Sequence, residues 1–199
     1  MGVKLPDDSN NSAYAKFGKG DNAYIKPLKI NKGWNDHQNQ PQLVFKFQAV
    51  STEGGESGVI PGYISSKITV QEDENFSSHL AKLLNAVDKT EAVLRELGIE
   101  DELVERIMDP SDDTRYEAET EEENQELYEA VLKHLADYGE FVLKAGTKLA
   151  GKDNGYSKVN DIHDLVEKDP FDDPAEVVAS ESSEESSEED AGAVLADGS

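Results

Sequence analysis

QPQLVFKFQAVSTEGGESGVIPGYISSKITV, residues 40–70, is the stretch on which the fold turns. Leu43, Phe45, Phe47 and Ala49 alternate with Val44, Lys46, Gln48 and Val50. A period of two with one apolar face predicts a half-buried strand. Ser51 to Gly58, with Gly54-Gly55 inside it, reads as a flexible connection. Residues 59–70 predict a second strand, with Ile64, Ile68 and Val70 on one face and Tyr63, Ser65, Lys67 and Thr69 on the other. The two strands form a hairpin or lie as near neighbours.

Upstream, residues 22–32 predict a first strand in which Pro27 demands an edge position or a bulge. Gly33 to Gln42 reads as a polar loop holding Trp34 and ending through Pro41. Downstream the period changes. Phe76, Leu80, Leu83, Leu84 and Val87 follow helical spacing. Asp88 and Glu91 form a capping-box pattern that would open a second short helix, with Gly98 to end it. A third helix is expected from Glu102 to Met108, stopped by Asp109-Pro110, and residues 111–119 read as an acidic loop. Thr120 and Glu123 repeat the capping-box pattern before a stripe of Leu127, Val131, Leu132 and Leu135, which Gly139 can end. Phe141-Val142-Leu143 begins a fourth strand, Lys152-Asp153-Asn154-Gly155 is a turn signal, and Tyr156 to Ile162 forms the return strand.

The expected class is therefore α+β, mainly β, with a helical insertion over residues 74–138 between the third and fourth of five strands. That is the chain order of a five-stranded oligonucleotide-binding (OB) barrel, although other small barrels and α+β sheets share it. Residues 1–13 read as a flexible N-terminus, 14–168 as the domain, and 169–199 as a disordered acidic tail. The Ser/Glu/Asp tract from Ser180 to Asp190 is too polar to offset its ordering entropy.

Charge separates these parts. The 199-residue chain carries a formal net charge of −24, but residues 1–100 contribute only −2 of it and the second half −22. Residues 14–70 and 141–160 are each +3, so the strand regions are mildly basic while helices and tail hold the acid. Residues 101–140 hold 15 acids before the tail begins, which points to a halophilic or otherwise acid-biased proteome.

Cysteine is absent, which excludes disulfides and thiolate metal sites. No apolar run approaches 18 residues and no secretory leader is visible, so a cytoplasmic protein, in the host cytoplasm if viral, is expected. The four histidines, His37, His79, His134 and His163, are scattered. No Gly-x-Ser-x-Gly, His-Glu-x-x-His or phosphate-loop pattern appears, so the reading is of a non-enzyme without cofactor. Asp109, Asp112 and Asp113 lack the spacing of a calcium loop and read as a solvated turn, leaving no metal site.

Residues 40–70 followed by SSHLAKLLNAV, the closing stretch GTKLAGKDNGYSKVNDI at 146–162 and the acidic tail together resemble phage-type single-stranded-DNA-binding proteins with an OB-fold. Bacterial relatives of that kind end in a hydrophobic tip, whereas this chain ends in Ala-Asp-Gly-Ser and its tail aromatic is the internal Phe171. The resemblance implies largely sequence-independent binding of single-stranded DNA in viral or mobile-element replication or recombination. The acidic tail reads in three ways: a competitor for the binding groove, since a carboxylate run mimics a phosphate backbone, a recruiter of replication or recombination proteins, or a segment that only solubilises. Independently, single-strand binders combine stacking rings with a positive groove. The candidate rings are Tyr24, Trp34, Tyr63 and Tyr156, and the candidate lysines are Lys26, Lys29, Lys32, Lys46, Lys67, Lys148, Lys152 and Lys158. Trp34, Tyr63 and Lys67 lead that set. Phe45 and Phe47 are assigned to the core, and Tyr24 and Tyr63 stay open between core packing and stacking. The rival readings are a viral structural or assembly protein using the insertion as its interface, and an acidic accessory protein that binds a DNA-handling enzyme.

Overall fold

The computed structural model describes residues 14–18, 20–54, 56–71, 77–167 and 170–171. The expectations for residues 1–13, for Phe76 and for the tail from 172 onward lie outside the described residues.

Three long strands open the fold: β1 Asn22–Asn35, β2 Gln40–Ser51 and β3 Ser57–Ser65. A two-residue strand β4 (Lys67–Ile68) follows, then helices α1 His79–Ala86, α2 Thr90–Glu96 and α3 Asp101–Met108. Strand β5 (Tyr116–Glu117) and helix α4 (Glu121–Tyr138) precede the hairpin of β6 (Leu143–Ala150) and β7 (Tyr156–Leu165). The five long strands form one antiparallel sheet in the order β3-β2-β1-β6-β7.

The hydrophobic pattern decides which face is covered. Leu43, Phe45, Phe47 and Ala49 are fully buried, and their partners Ile64, Ile60 and Ile25 complete the inner face. Gly62 lies opposite Phe45, and a side chain there would meet the Phe47 ring at 2.6 Å, so only glycine fits. The insertion is not a separate lobe. Leu80, Leu83, Leu84, Val93, Leu94, Val104, Ile107, Leu127 and Val131 belong to the same buried cluster as the sheet residues.

The sheet curls. Its edge strands β3 and β7 run in the same direction, because each neighbouring pair between them is antiparallel. They do not pair with each other; Ala15 lies between them. Its N–H donates to the Val59 carbonyl (2.8 Å) and its own carbonyl accepts from the Ser157 N–H (2.9 Å). Next to it the Phe17 N–H donates to Ser157 Oγ, and the Phe17 ring enters the core. The α+β class with five long strands and an insertion between the third and fourth is observed, as an open curled sheet without direct strand-to-strand closure.

Some local expectations hold and others change. The β1–β2 register shifts between Pro27 and Lys29, so Pro27 is accommodated by a bulge that turns Leu28 outward. The expected loop from Gly33 to Gln42 is mostly strand: Trp34 pairs with Pro41, and only residues 36–39 turn. Asn35 makes this possible, since its side-chain oxygen accepts from the His37 and Gln38 N–H groups and Asn39 takes a left-handed φ of 51°. The second strand breaks at Ser66, where the chain leaves β2 so that Lys67–Ile68 can pair with Glu117 and Tyr116 in the segment expected to be loop. The Asp88–Glu91 capping box does not form. Asp88 instead adopts a φ of 54° while its N–H closes onto the Asn85 carbonyl, and α2 starts after Lys89 without a side-chain cap. The Thr120–Glu123 box forms with both of its hydrogen bonds.

Candidate nucleic-acid interface

Directly paired residues in an antiparallel sheet share a face, so register assigns each candidate to one side. Lys29 opposes Lys46, Lys46 opposes Pro61, Val44 opposes Tyr63, and Lys26 opposes Gln48. All lie on the outer face, away from the Phe45–Phe47 core. On the β6–β7 hairpin Lys148 opposes Lys158, and the curl of the sheet carries Lys158 Nζ to 5.5 Å from the centre of the Tyr63 ring. Tyr63 is half-buried, Lys46 and Lys158 partly exposed, and Lys29 and Lys148 exposed. One ring and four lysines, from five strands, thus share one curved outer face.

The remaining candidates separate from it. Tyr24 shares the outer parity but is 1% exposed, packed with Val50 and Val142 under Val166 and Phe171. Phe171 therefore packs on the domain, two residues inside the stretch expected to be disordered. Tyr156 is 4% exposed, with the Tyr14 ring 5.3 Å away. Neither ring presents an open face for a base. Lys26 is neutralised by Glu140 at 2.7 Å. Lys67 belongs to the β4–β5 pair opposite Glu117, and Lys152 sits at the exposed tip of the β6–β7 hairpin. Trp34 pairs with Pro41, which shares the face of Leu43 and Phe45, so Trp34 lies on the opposite side of the hairpin from Tyr63. There, with Lys32, it borders the N-terminal turn of α4.

A polar seam that sequence reasoning missed extends the outer surface. Asp161 of β7 accepts a hydrogen bond from Lys82 of α1 at 2.7 Å, with His79 Nε2 3.6 Å away. Burial lowers the His79 pKa; the Asp161 charge opposes that, and Lys82 and Lys148 add to it. Burial, the largest single influence, works against the charged form of Asp161 too, but the Lys82 hydrogen bond, the Ile162 N–H and the charges of Lys82 and His163 together outweigh it and hold its carboxyl below the usual range. Because Lys148 acts on His79, the seam adjoins the Lys148–Lys158 pair. His79 and Lys82 are one helical turn apart, but nothing local ties them to a residue 79 positions further on.

Two carboxylates of the acidic turn are occupied. Asp109 accepts from Ser111; Asp112 accepts from Thr114 and Arg106, which brings its pKa down to about 2. Among the described residues no group of three His, Asp or Glu side chains could hold a metal ion. No helix among them is long and apolar enough to cross a membrane. No known protein family, curated protein or solved structure matches this chain.

Proposed function

We propose that the protein is a single-stranded-DNA-binding module of a viral or mobile-element replication or recombination system, built on an OB-type barrel, and that it is not an enzyme. The observation that carries this reading is the meeting of Tyr63 with Lys158, 95 residues apart in the chain, on a face that also holds Lys46, Lys29 and Lys148. A stacking ring bordered by lysines is what a sequence-tolerant single-strand site requires. The strand order supports the barrel reading. Two hairpins joined through β1, with an insertion before the fourth long strand and the edges curled together around Ala15, match the connectivity of a partly open OB barrel. On this reading the acidic tract from 180 to 190 recruits replication or recombination proteins.

The test is a fluorescence-anisotropy titration of labelled oligo-dT with the full chain over a salt series, with duplex DNA as control. Saturable, single-strand-selective binding is expected. Tyr63→Ala should weaken it roughly tenfold, the scale of one lost base stack. Lys46→Ala should flatten the salt dependence by about one phosphate contact, a slope change near 0.7. Absence of oligonucleotide binding at every salt concentration would overturn the proposal.

One observation favours a second reading, an assembly protein. Leu28 at 54% exposure and Leu132 at 41% flank a groove floored by Ile30, Leu135 and Phe141, an apolar surface suited to a protein partner. Concentration-dependent oligomers that ignore oligonucleotides would support it.

A further inference from the structure

Trp34 faces a cavity of about 230 Å³ between β1 and the start of α4, lined by Lys32, Gly33, Trp34, Glu121 and Asn124. The Asn124 amide is already spent: its oxygen accepts from Ser66 Oγ and its nitrogen donates to the Gly33 carbonyl. The helix cap is spent as well, since Thr120 accepts from the Glu123 N–H and the Glu123 carboxylate accepts from the Thr120 and Glu119 N–H groups. Among the described residues the Glu121 carboxylate is in no ion pair or hydrogen bond, and neither is the Lys32 ammonium. The cavity thus offers three things to a ligand: a flat indole wall, a carboxylate and an ammonium.

That combination selects by elimination. A simple cation would suit Trp34 and Glu121 but meet Lys32. A simple anion would suit Lys32 but meet the acidic run Glu121, Glu122 and Glu123. An apolar peptide side chain would leave both charges unused. A nucleotide uses all three, with its base on the indole, its N–H donors on the carboxylate and its phosphate on the ammonium. A carboxylate only accepts, so it rewards bases with adjacent donors. Guanine presents N1–H and its exocyclic amino group side by side, matching both carboxylate oxygens. Adenine and cytosine offer one amino group beside an acceptor, and thymine one N–H between two carbonyls.

We infer that the Trp34–Glu121 cavity is a guanine-preferring base subsite. It rests on the single-strand reading and adds to it a sequence preference at one position. Lys29 and Lys32 lie on opposite faces of β1, opposing Lys46 and Leu43 respectively, and mark where a bound strand passes from the Tyr63 face to the Trp34 face.

Trp34 is the only tryptophan in the chain, so intrinsic fluorescence reports on this cavity alone. The full-length protein would be titrated with GMP and TMP, and with the pentamers d(TTGTT) and d(TTTTT), following tryptophan emission. Binding of labelled oligo-dT would be followed in parallel by anisotropy. Saturable quenching by GMP but not TMP is expected, with d(TTGTT) bound at least about fivefold tighter than d(TTTTT), as one bidentate contact implies. Glu121→Gln should abolish the preference, because its amide replaces one acceptor by a donor. Equal quenching by guanine and thymine probes, or a preference that survives Glu121→Gln, would overturn the subsite. Oligo-dT binding without guanine-selective quenching would remove the subsite and leave the single-strand reading standing. Guanine-selective quenching without any oligonucleotide binding would keep a nucleotide pocket and remove that reading.

Discussion

The two faces of the β1–β2–β3 sheet are built from the same strands and follow opposite rules. On the inner face every position of β2 from Leu43 to Ala49 is fully buried, and Phe45 and Phe47 stack 5.4 Å apart with nearly parallel rings. The outer face alternates its content: Val44 and Val50 are buried, while Lys46 is partly exposed and Gln48 exposed. The inner face is held by shape, since even Gly62 is required by the ring above it. The outer face is packed at its Tyr24–Val50 end, under Val142, Val166 and Phe171, and is open around Lys46 and Gln48. Register parity, more than residue type, decides to which face a side chain belongs.

The sharpest way to break this comparison is to truncate neighbours of opposite parity. Phe47→Ala removes a fully buried ring and is expected to cost about 3–5 kcal/mol in urea denaturation, the range for an aromatic core cavity. Lys46→Ala, one residue away, should stay within about 0.5 kcal/mol of wild type. Should Phe47→Ala fail to fold, Phe47→Leu keeps the test, because it leaves a smaller void and a measurable loss. Equal costs for Phe47 and Lys46 would show that the outer face carries packing energy and is not spare surface.

A smaller effect probes what covers the inner face. Helix α4 is fixed at its start by the Thr120–Glu123 capping box, and from its first turns Asn124 reaches across to the Gly33 carbonyl of β1. Thr120→Ala leaves the Glu123 N–H without its side-chain acceptor and should lower stability by about 1 kcal/mol. Thr120→Ser, which keeps the oxygen, should recover most of it. A silent Thr120→Ala would mean that packing of Leu127 and Val131 alone sets the start of α4.

The parts of this architecture that local chemistry encodes were legible. Strict alternation marked the inner face, Pro27 called for a bulge or an edge position, and the spacing of Thr120 and Glu123 marked the start of α4. What failed to read depends on distant partners or on turn geometry. Trp34 sits among Gly33, Asn35 and Pro41, all loop-forming residues, yet the tight turn set by Asn35 and Asn39 extends both strands past it and fixes its parity. Tyr24 and Tyr63 share parity and side-chain type. Val50, Val142, Val166 and Phe171 together bury the first, and nothing near residue 24 announces that. Asp88 has the composition of a cap, but its left-handed backbone is taken by the turn that ends α1.

The smallest effect lies at the seam where α1 meets β7, beside the outer face. His79 has its pKa lowered from an ordinary 6.5, mainly by burial, so the fold favours the neutral ring. A folded-state pKa below the unfolded one means that its stabilisation is fully present above about pH 6.5 and is lost as pH falls below it. Asp161, also held low, keeps its contribution until pH falls through the carboxylate range below 3.8. Between pH 7.5 and 5.5 the His79 part therefore acts alone of the two. With its side chain 38% exposed, solvent screening keeps it under about 1 kcal/mol. Urea midpoints at the two pH values should fall less in His79→Gln than in wild type; an equal fall would place the acid sensitivity elsewhere. Affinity should move the other way. Protonating His79 adds positive charge beside Lys148, so on the single-strand reading the same acidification that loosens the fold tightens the hold on a phosphate backbone. If stability and affinity fall together, the seam belongs to the scaffold and not to the binding surface.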